Sequence, residues 1–368
     1  MGLNKGTILS ITTQTKAANR FESIDSFRGI AALLVVLYHL SGSLEKQLDP
    51  LLFDWLNTFM DFGFVGVPIF FVISGFAIAY SLKNIRMTSR NVGVFFLRRS
   101  IRLDFTYWVC IALSILLMVA KNLVTGENEA LPSVSDVLFH MFYLQDLAQI
   151  DYTISVVYWT LCLEIQFYLF FVVCLAACRA ISRTHNTELI VLLLLITGFW
   201  SLLVDYKFID NLLPGLFVPF WHYFVFGVLF ANIVLNRPLA KLMFILWSTI
   251  ECVFLLFIHV KYFAVAGTGF ALALYVLWYC NALQTIHSKS LAYLAAISYP
   301  LYLLHPDFGW KTIAVLERLL PIKNSPLLTL IIFAMGIVAS IISAHVVHKF
   351  IEAPSQRLSK KFSMQKAF

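Results

Sequence analysis

"FESIDSFRGIAALLVVLYHLSG", residues 21–42, reads as a membrane helix that keeps Arg28 near one end and His39 near the other. At 100° per residue, the eleven-residue spacing returns to within about 20° of the starting direction. The two side chains therefore share one helix face, about 16 Å apart along the axis. Insertion scales put an arginine at a helix centre at about 2.5–3.5 kcal/mol, so such residues usually face a protein interior or a cavity. Taken alone, the pair fits either a boundary arginine with a hydrogen-bonded core histidine, or two groups facing one cavity.

The surrounding chain decides the class. Of 368 residues, 60% are hydrophobic and 13% charged, with a mean hydropathy of +0.83. Soluble domains carry about 25% charged residues, so this is a polytopic membrane protein. No cleavable signal is expected, because residues 1–21 are polar and lysine-bearing. The net charge of +7 does not indicate nucleic-acid binding, since the basic residues flank membrane spans. The six cysteines fall in apolar stretches without CxxC pairing and are expected to be buried and inert.

Apolar runs long enough to cross about 30 Å of hydrocarbon fall near 27–44, 63–82, 103–120, 155–178, 188–205, 214–235, 241–259, 263–283, 291–309 and 326–349. The expected fold is therefore all-α, with about ten transmembrane helices. The segment 133–147 is too short and polar to span, and reads as an interfacial or re-entrant helix. With the N-terminus inside, most of the 27 lysines and arginines become cytoplasmic, as the positive-inside rule requires. Examples are Lys83, Arg86, Arg90, Arg98, Arg99, Arg102, Arg179 and Arg183. Most of the 20 acidic residues, including Asp49, Asp54, Asp61, Glu127, Glu129 and Asp151, then lie outside. Both termini are expected in the cytoplasm, with the C-terminal "SQRLSKKFSMQKAF" as a basic tail against an anionic leaflet.

This topology sorts the polar residues by depth. Arg28, Arg99 and Arg102 lie toward the cytoplasmic ends of their helices. His39, Glu164 and His305 lie in the outer halves. "RRSIR" (98–102) sets Arg99 and Arg102 on neighbouring faces, an arrangement suited to phosphate oxygens and equally to a topological anchor. An intramembrane Glu164 is functional by default. Ser298 and His305 share a face, with Tyr302 between them. His140, His222, His345 and His348 read as structural or interfacial. No metal site is expected, since no His pair at i, i+4 joins a carboxylate or cysteine. No GxSxG elbow, Walker loop or dinucleotide fingerprint occurs.

Six ordered motifs, "IDSFRGIAALLVVLYH", "GVPIFFVISGFAIAYSL", "FFLRRSIRL", "YWTLCLEIQFYLFF", "ISYPLYLLHP" and "FIEAPSQRLS", resemble the acyltransferase 3 family of bacterial membrane O-acyltransferases over residues 23–358. In that family the first-helix Arg and His form a signature, matched here by Arg28 and His39. The RxxR pair falls on Arg99 and Arg102, and the fourth-span glutamate on Glu164. One departure is Asp104, where relatives often have proline. The resemblance implies a multi-pass enzyme of the bacterial inner membrane that takes acetyl from cytoplasmic acetyl-CoA. The acceptor it implies is a sugar hydroxyl of a cell-envelope glycan, such as lipopolysaccharide O-antigen or exopolysaccharide, on the other side.

The implied organisation is a cytoplasmic tail over 1–22, a transmembrane acyltransferase domain over 23–352 and a basic tail over 353–368. His39 is expected as general base, since an imidazole titrating near neutrality can take the hydroxyl proton; a covalent acetyl-His intermediate is the open alternative to direct transfer. Glu164 is expected to orient it, because Asp25 lies about 21 Å away along the helix. Arg99 and Arg102 should hold the CoA phosphates. Arg28 should steer the pantetheine arm or stabilise the thioester oxyanion. Trp159, Ser298, Tyr302 and His305 are candidate acceptor-binding residues. A narrow passage is expected between spans one, three, four and nine. Membrane lipids are partners, and a homodimer is left open. The rival reading is a proton-coupled transporter or flippase for an anionic or lipid-linked substrate, which calls for inverted repeats and paired discontinuous helices. Neither is visible in the sequence.

Overall fold

The computed structural model describes residues 5–44, 48, 51–126, 128–151, 153–182, 186–286, 288–320 and 325–365. Asp49, Glu127 and Arg183 lie outside the described residues. Among those described there is helix and no strand. In chain order the helices are α1 (Lys5–Ser43), α2 (Asp54–Asp61), α3 (Gly66–Ser81), α4 (Ser89–Thr125), α5 (Val134–Met141), α6 (Trp159–Ile181) and α7 (Asn186–Asp205). There follow α8 (Trp221–Val234), α9 (Ala240–Phe257), α10 (Tyr262–Tyr279), α11 (Lys289–His305), α12 (Lys311–Leu319), α13 (Pro326–Val347) and α14 (Ala353–Ser359).

Among the described residues, eight helical stretches are long and apolar enough to cross a membrane. Two of the ten expected segments are shorter. The 214–235 segment resolves into a 3-10 turn and α8, together Val218–Val234. Nearly every α8 side chain is buried in protein, so its length is not matched to lipid. The 291–309 segment becomes α11, of 17 residues, which passes through a π turn (Pro306–Trp310) into α12.

Several boundaries move for identifiable reasons. α1 starts at Lys5, so the expected polar tail enters the first span as continuous helix. α4 is 37 residues long, about 55 Å, nearly twice the hydrocarbon thickness. Thr88 caps its start by accepting from the Asn91 amide, and Gly126 ends it at φ 70. Asp104 therefore sits mid-helix, where it accepts from Ser100 and from the Tyr143 hydroxyl. The expected interfacial helix is α5, started by a Ser133–Asp136 capping box. Cys280, expected buried, is exposed at the end of α10.

The C-terminal tail also departs from expectation. α13 runs through a second π turn (His348–Glu352) into α14, which packs against α4.

Two close approaches hold the site together. A Cβ on Gly29 would lie 2.7 Å from the Ala295 nitrogen, so glycine lets α1 touch the backbone of α11. Ten residues further along both helices come His39 and His305, so α1 and α11 run parallel. On the other side of α3, Gly75 and Gly227 let α3 and α8 meet backbone to backbone; a Cβ on Gly75 would lie 2.2 Å from the Phe224 carbonyl.

Candidate functional site

Two groups of polar side chains stand at opposite ends of the α1–α11 pair. The first surrounds a cavity of about 430 Å³ lined by Arg28, Arg98, Arg99, Arg102, Glu164 and Tyr168, among others. The three α4 arginines follow helical spacing, so they turn toward α1, α3 and α6 together. The Arg99 guanidinium stacks over the Tyr168 ring, 4.3 Å from its centroid. Arg28 lies 3.9 Å from Asp25 at the cavity edge. Among the described residues, Arg98, Arg99 and Arg102 have no carboxylate within ion-pair distance. Such an accumulation of unpaired cations is stable only with an anion or solvent to balance it.

Glu164 does not meet His39. Its Oε1 accepts from Ser74, at 2.8 Å, and from the Tyr168 hydroxyl. The expected orienting role is thus corrected: the carboxylate fixes Tyr168, one helical turn along α6, and Tyr168 in turn carries Arg99. Arg28 lines the arginine cavity, about 16 Å along α1 from His39, as their spacing predicts.

From this cavity a constriction of about 50 Å³ leads inward. Arg28, Ser74 and Glu164 line both spaces, and Thr160, Ser298 and Tyr302 line the narrow one. Its walls come from α1, α3, α6 and α11, so the second span replaces the expected third at the narrow point. α4 contributes only to the wide end. The Thr160 hydroxyl donates to the Tyr302 hydroxyl at 3.0 Å, which fixes the tyrosine beside His305, with ring centroids 6.0 Å apart. Ser298 donates to the Ala295 carbonyl. Trp159 joins neither space and packs on Phe220, with centroids 5.5 Å apart.

The second group is a histidine pair. His305 is wholly buried, and its Nδ1 lies 3.1 Å from the Leu301 carbonyl. That oxygen can only accept, so Nδ1 carries the hydrogen and Nε2 the lone pair. His39 Nδ1 lies 3.0 Å from His305 Nε2 and 3.1 Å from the Val35 carbonyl. It faces two acceptors and so carries hydrogen as well. His39 Nε2 is left with its lone pair and, among the described residues, no hydrogen-bond partner. Trp310 fixes the same turn by donating Nε1 to the His39 carbonyl at 2.7 Å.

Outside the spans, His140 is structural. Its Nδ1 lies 2.7 Å from the Asp136 carbonyl, and its Nε2 accepts from the Ile154 amide at 3.3 Å. Burial pushes its pKa below the ordinary 6.5.

Sequence reasoning picked out the arginines, the glutamate and both histidines, but expected Glu164 at the histidine end, whereas it lines the arginine cavity, and it missed Ser74, Tyr168 and Trp310. Tyr168 is detectable as the i+4 neighbour of Glu164; Ser74 has no signal before α3 and α6 are packed. The acyltransferase 3 family model, described as an acyltransferase domain, matches residues 21–345. No curated protein and no solved structure matches the chain.

Proposed function

Because this chain belongs to the acyltransferase 3 family, we propose that it transfers acetyl from acetyl-CoA to a sugar hydroxyl of a cell-envelope glycan. In this reading the arginine end faces the cytoplasm, where the positive-inside bias places it, and the histidine end faces the periplasm across the bacterial inner membrane. Both termini are then cytoplasmic. The CoA phosphates bind Arg99 and Arg102, whose forked guanidinium groups suit phosphate oxygens. Arg28 steers the pantetheine arm into the constriction past Ser298 and Tyr302. The acceptor hydroxyl approaches His39 from the opposite end.

His39 Nε2 takes the hydroxyl proton as the oxygen attacks the thioester carbonyl. The carbon–sulfur bond breaks, the ester forms, and the thiolate leaves with CoA, to be protonated as His39 returns to neutrality. A positioned base of this kind contributes about 10²–10⁴ in rate. His305 holds His39 in the tautomer that leaves Nε2 free, a role often taken by a carboxylate.

The observation that supports this reading is the polarity of the site: at one end α4 arginines that meet no carboxylate among the described residues, at the other a base whose Nε2 lone pair has no partner among them, and a narrow space between. The test uses sealed vesicles of known orientation with radiolabelled acetyl-CoA and glycan. Label should reach glycan only when acetyl-CoA is on the arginine side and glycan on the histidine side. Transfer with both substrates confined to one face would rule out the through-membrane route.

A further inference from the structure

Beyond α13 the chain closes over the arginine cavity. Two pins hold this strap. At its start, Glu352 accepts from Gln356 Nε2 at 2.8 Å through Oε1 and meets His348 Nδ1 at 2.7 Å through Oε2. At its end, Asn91 on α4 clips Gln365: the Gln365 amide donates to Asn91 Oδ1, and Asn91 Nδ2 donates to the Gln365 carbonyl, both at 2.9 Å. Asn91 Nδ2 also donates to the Arg86 carbonyl at 2.8 Å. Asn91 is 2% exposed, and its amide is committed to this clamp.

Between the pins, Gln356, Ser359, Lys360 and Met364 line the cavity. Gln356 is bound to Glu352, and the Ser359 hydroxyl donates to the Gln356 carbonyl, so neither is spare. Lys360 is the charged group left. It also borders the neighbouring space of about 470 Å³ that reaches Arg28 and Arg102. Among the described residues it has no carboxylate within ion-pair distance.

Arg98, Arg99 and Arg102 project from α4 and Arg28 from α1, whereas Lys360 comes from the strap, a further element at the cavity. A ligand with several phosphate oxygens is held better from several elements, because each charge-assisted bond satisfies a different oxygen. We propose that Lys360 is a further binding residue of the site, contacting a phosphate of the acyl donor from the strap that packs beside α4, with Asn91 as the residue that positions the strap. This rests on the reading of the arginine cavity as the CoA site. Lys361 is exposed, as Lys360 is, but lines neither space, so a role limited to leaflet anchoring predicts that the two lysines behave alike.

The experiment measures equilibrium CoA binding and acetyl-transfer kinetics for the full chain in lipid nanodiscs. Lys360→Ala should weaken CoA binding about three- to fivefold, the range for losing one partly exposed charge contact. It should raise KM for acetyl-CoA with kcat unchanged. Lys360→Arg should restore affinity, and Lys361→Ala should match wild type. Asn91→Ala should weaken binding by itself, and adding Lys360→Ala to it should cost little more. If Asn91→Ala does not fold, the lysine series decides alone. Wild-type affinity in Lys360→Ala, or equal losses from Lys360→Ala and Lys361→Ala, overturns the inference. A wild-type protein without CoA affinity removes instead the donor-site reading on which it rests.

Discussion

At the residue scale, the His39–His305 contact assigns different work to two histidines. His39→Ala removes the free Nε2 and should lower glycan acetylation by about 10²–10⁴, with CoA binding retained. His305→Phe keeps the ring volume but removes one of the two acceptors of His39 Nδ1, leaving the Val35 carbonyl. It should lower kcat by about 10–100-fold, the range for losing a group that orients an imidazole, whereas His305→Gln, which keeps an acceptor, should lose less. Equal loss in both His305 variants would mean that packing, not the tautomer, is what His305 supplies. Glu164→Ala acts elsewhere. It leaves Ser74 and Tyr168 without an acceptor and should raise KM for acetyl-CoA more than it lowers kcat, because Tyr168 supports Arg99. A pure kcat effect would return Glu164 to the histidine end.

At the element scale, the parallel contact of α1 on α11 sets the distance between the two imidazoles. In Gly29→Ala the new methyl meets backbone atoms of Leu294 and Ala295 under 3.0 Å away, and backbone cannot turn aside as a flexible side chain can. The helices must separate, at about 1–3 kcal/mol of stability, and the histidine contact should loosen with them. Gly42→Ala, with nothing within 4 Å, should leave both melting temperature and activity at wild-type values. The α5 helix offers a separate test. His140 is neutral in its two hydrogen bonds, and its folded pKa lies below the ordinary 6.5. Its contribution to stability is therefore full above that value and is lost as pH falls below it, because the unfolded chain takes up the proton first. Replacing His140 with Gln should flatten the fall in melting temperature on acidification; an unchanged slope would assign that fall to other groups.

At the scale of the whole molecule, the arginine and histidine ends should lie on opposite faces of one membrane. Single cysteines at Lys360 and Ser43, in a background with the exposed Cys280 changed to serine, should react with an impermeant thiol reagent from opposite sides of sealed vesicles. Labelling of both from one side would contradict the assigned topology. Much of this plan is legible in the residues themselves. Hydrophobic runs report which segments belong in lipid, because burial of apolar side chains depends on composition over about twenty residues. The distribution of lysine and arginine gives their expected direction, which the labelling experiment tests. Helical periodicity puts Arg28 and His39 on one face, and Arg99 beside Arg102. Local sequence could not report which faces meet. Glu164 fits a partnership with His39 until packing gives it Ser74, ninety residues away on α3, and Tyr168. The basic tail fits a leaflet anchor until Asn91 draws Gln365 back across the arginine cavity. The sequence by itself determined the helices, their apolar faces and the chemical types available for the site. Tertiary structure alone decided which polar groups pair, because a buried hydrogen bond depends on ångström-scale distance between segments that share no local signal.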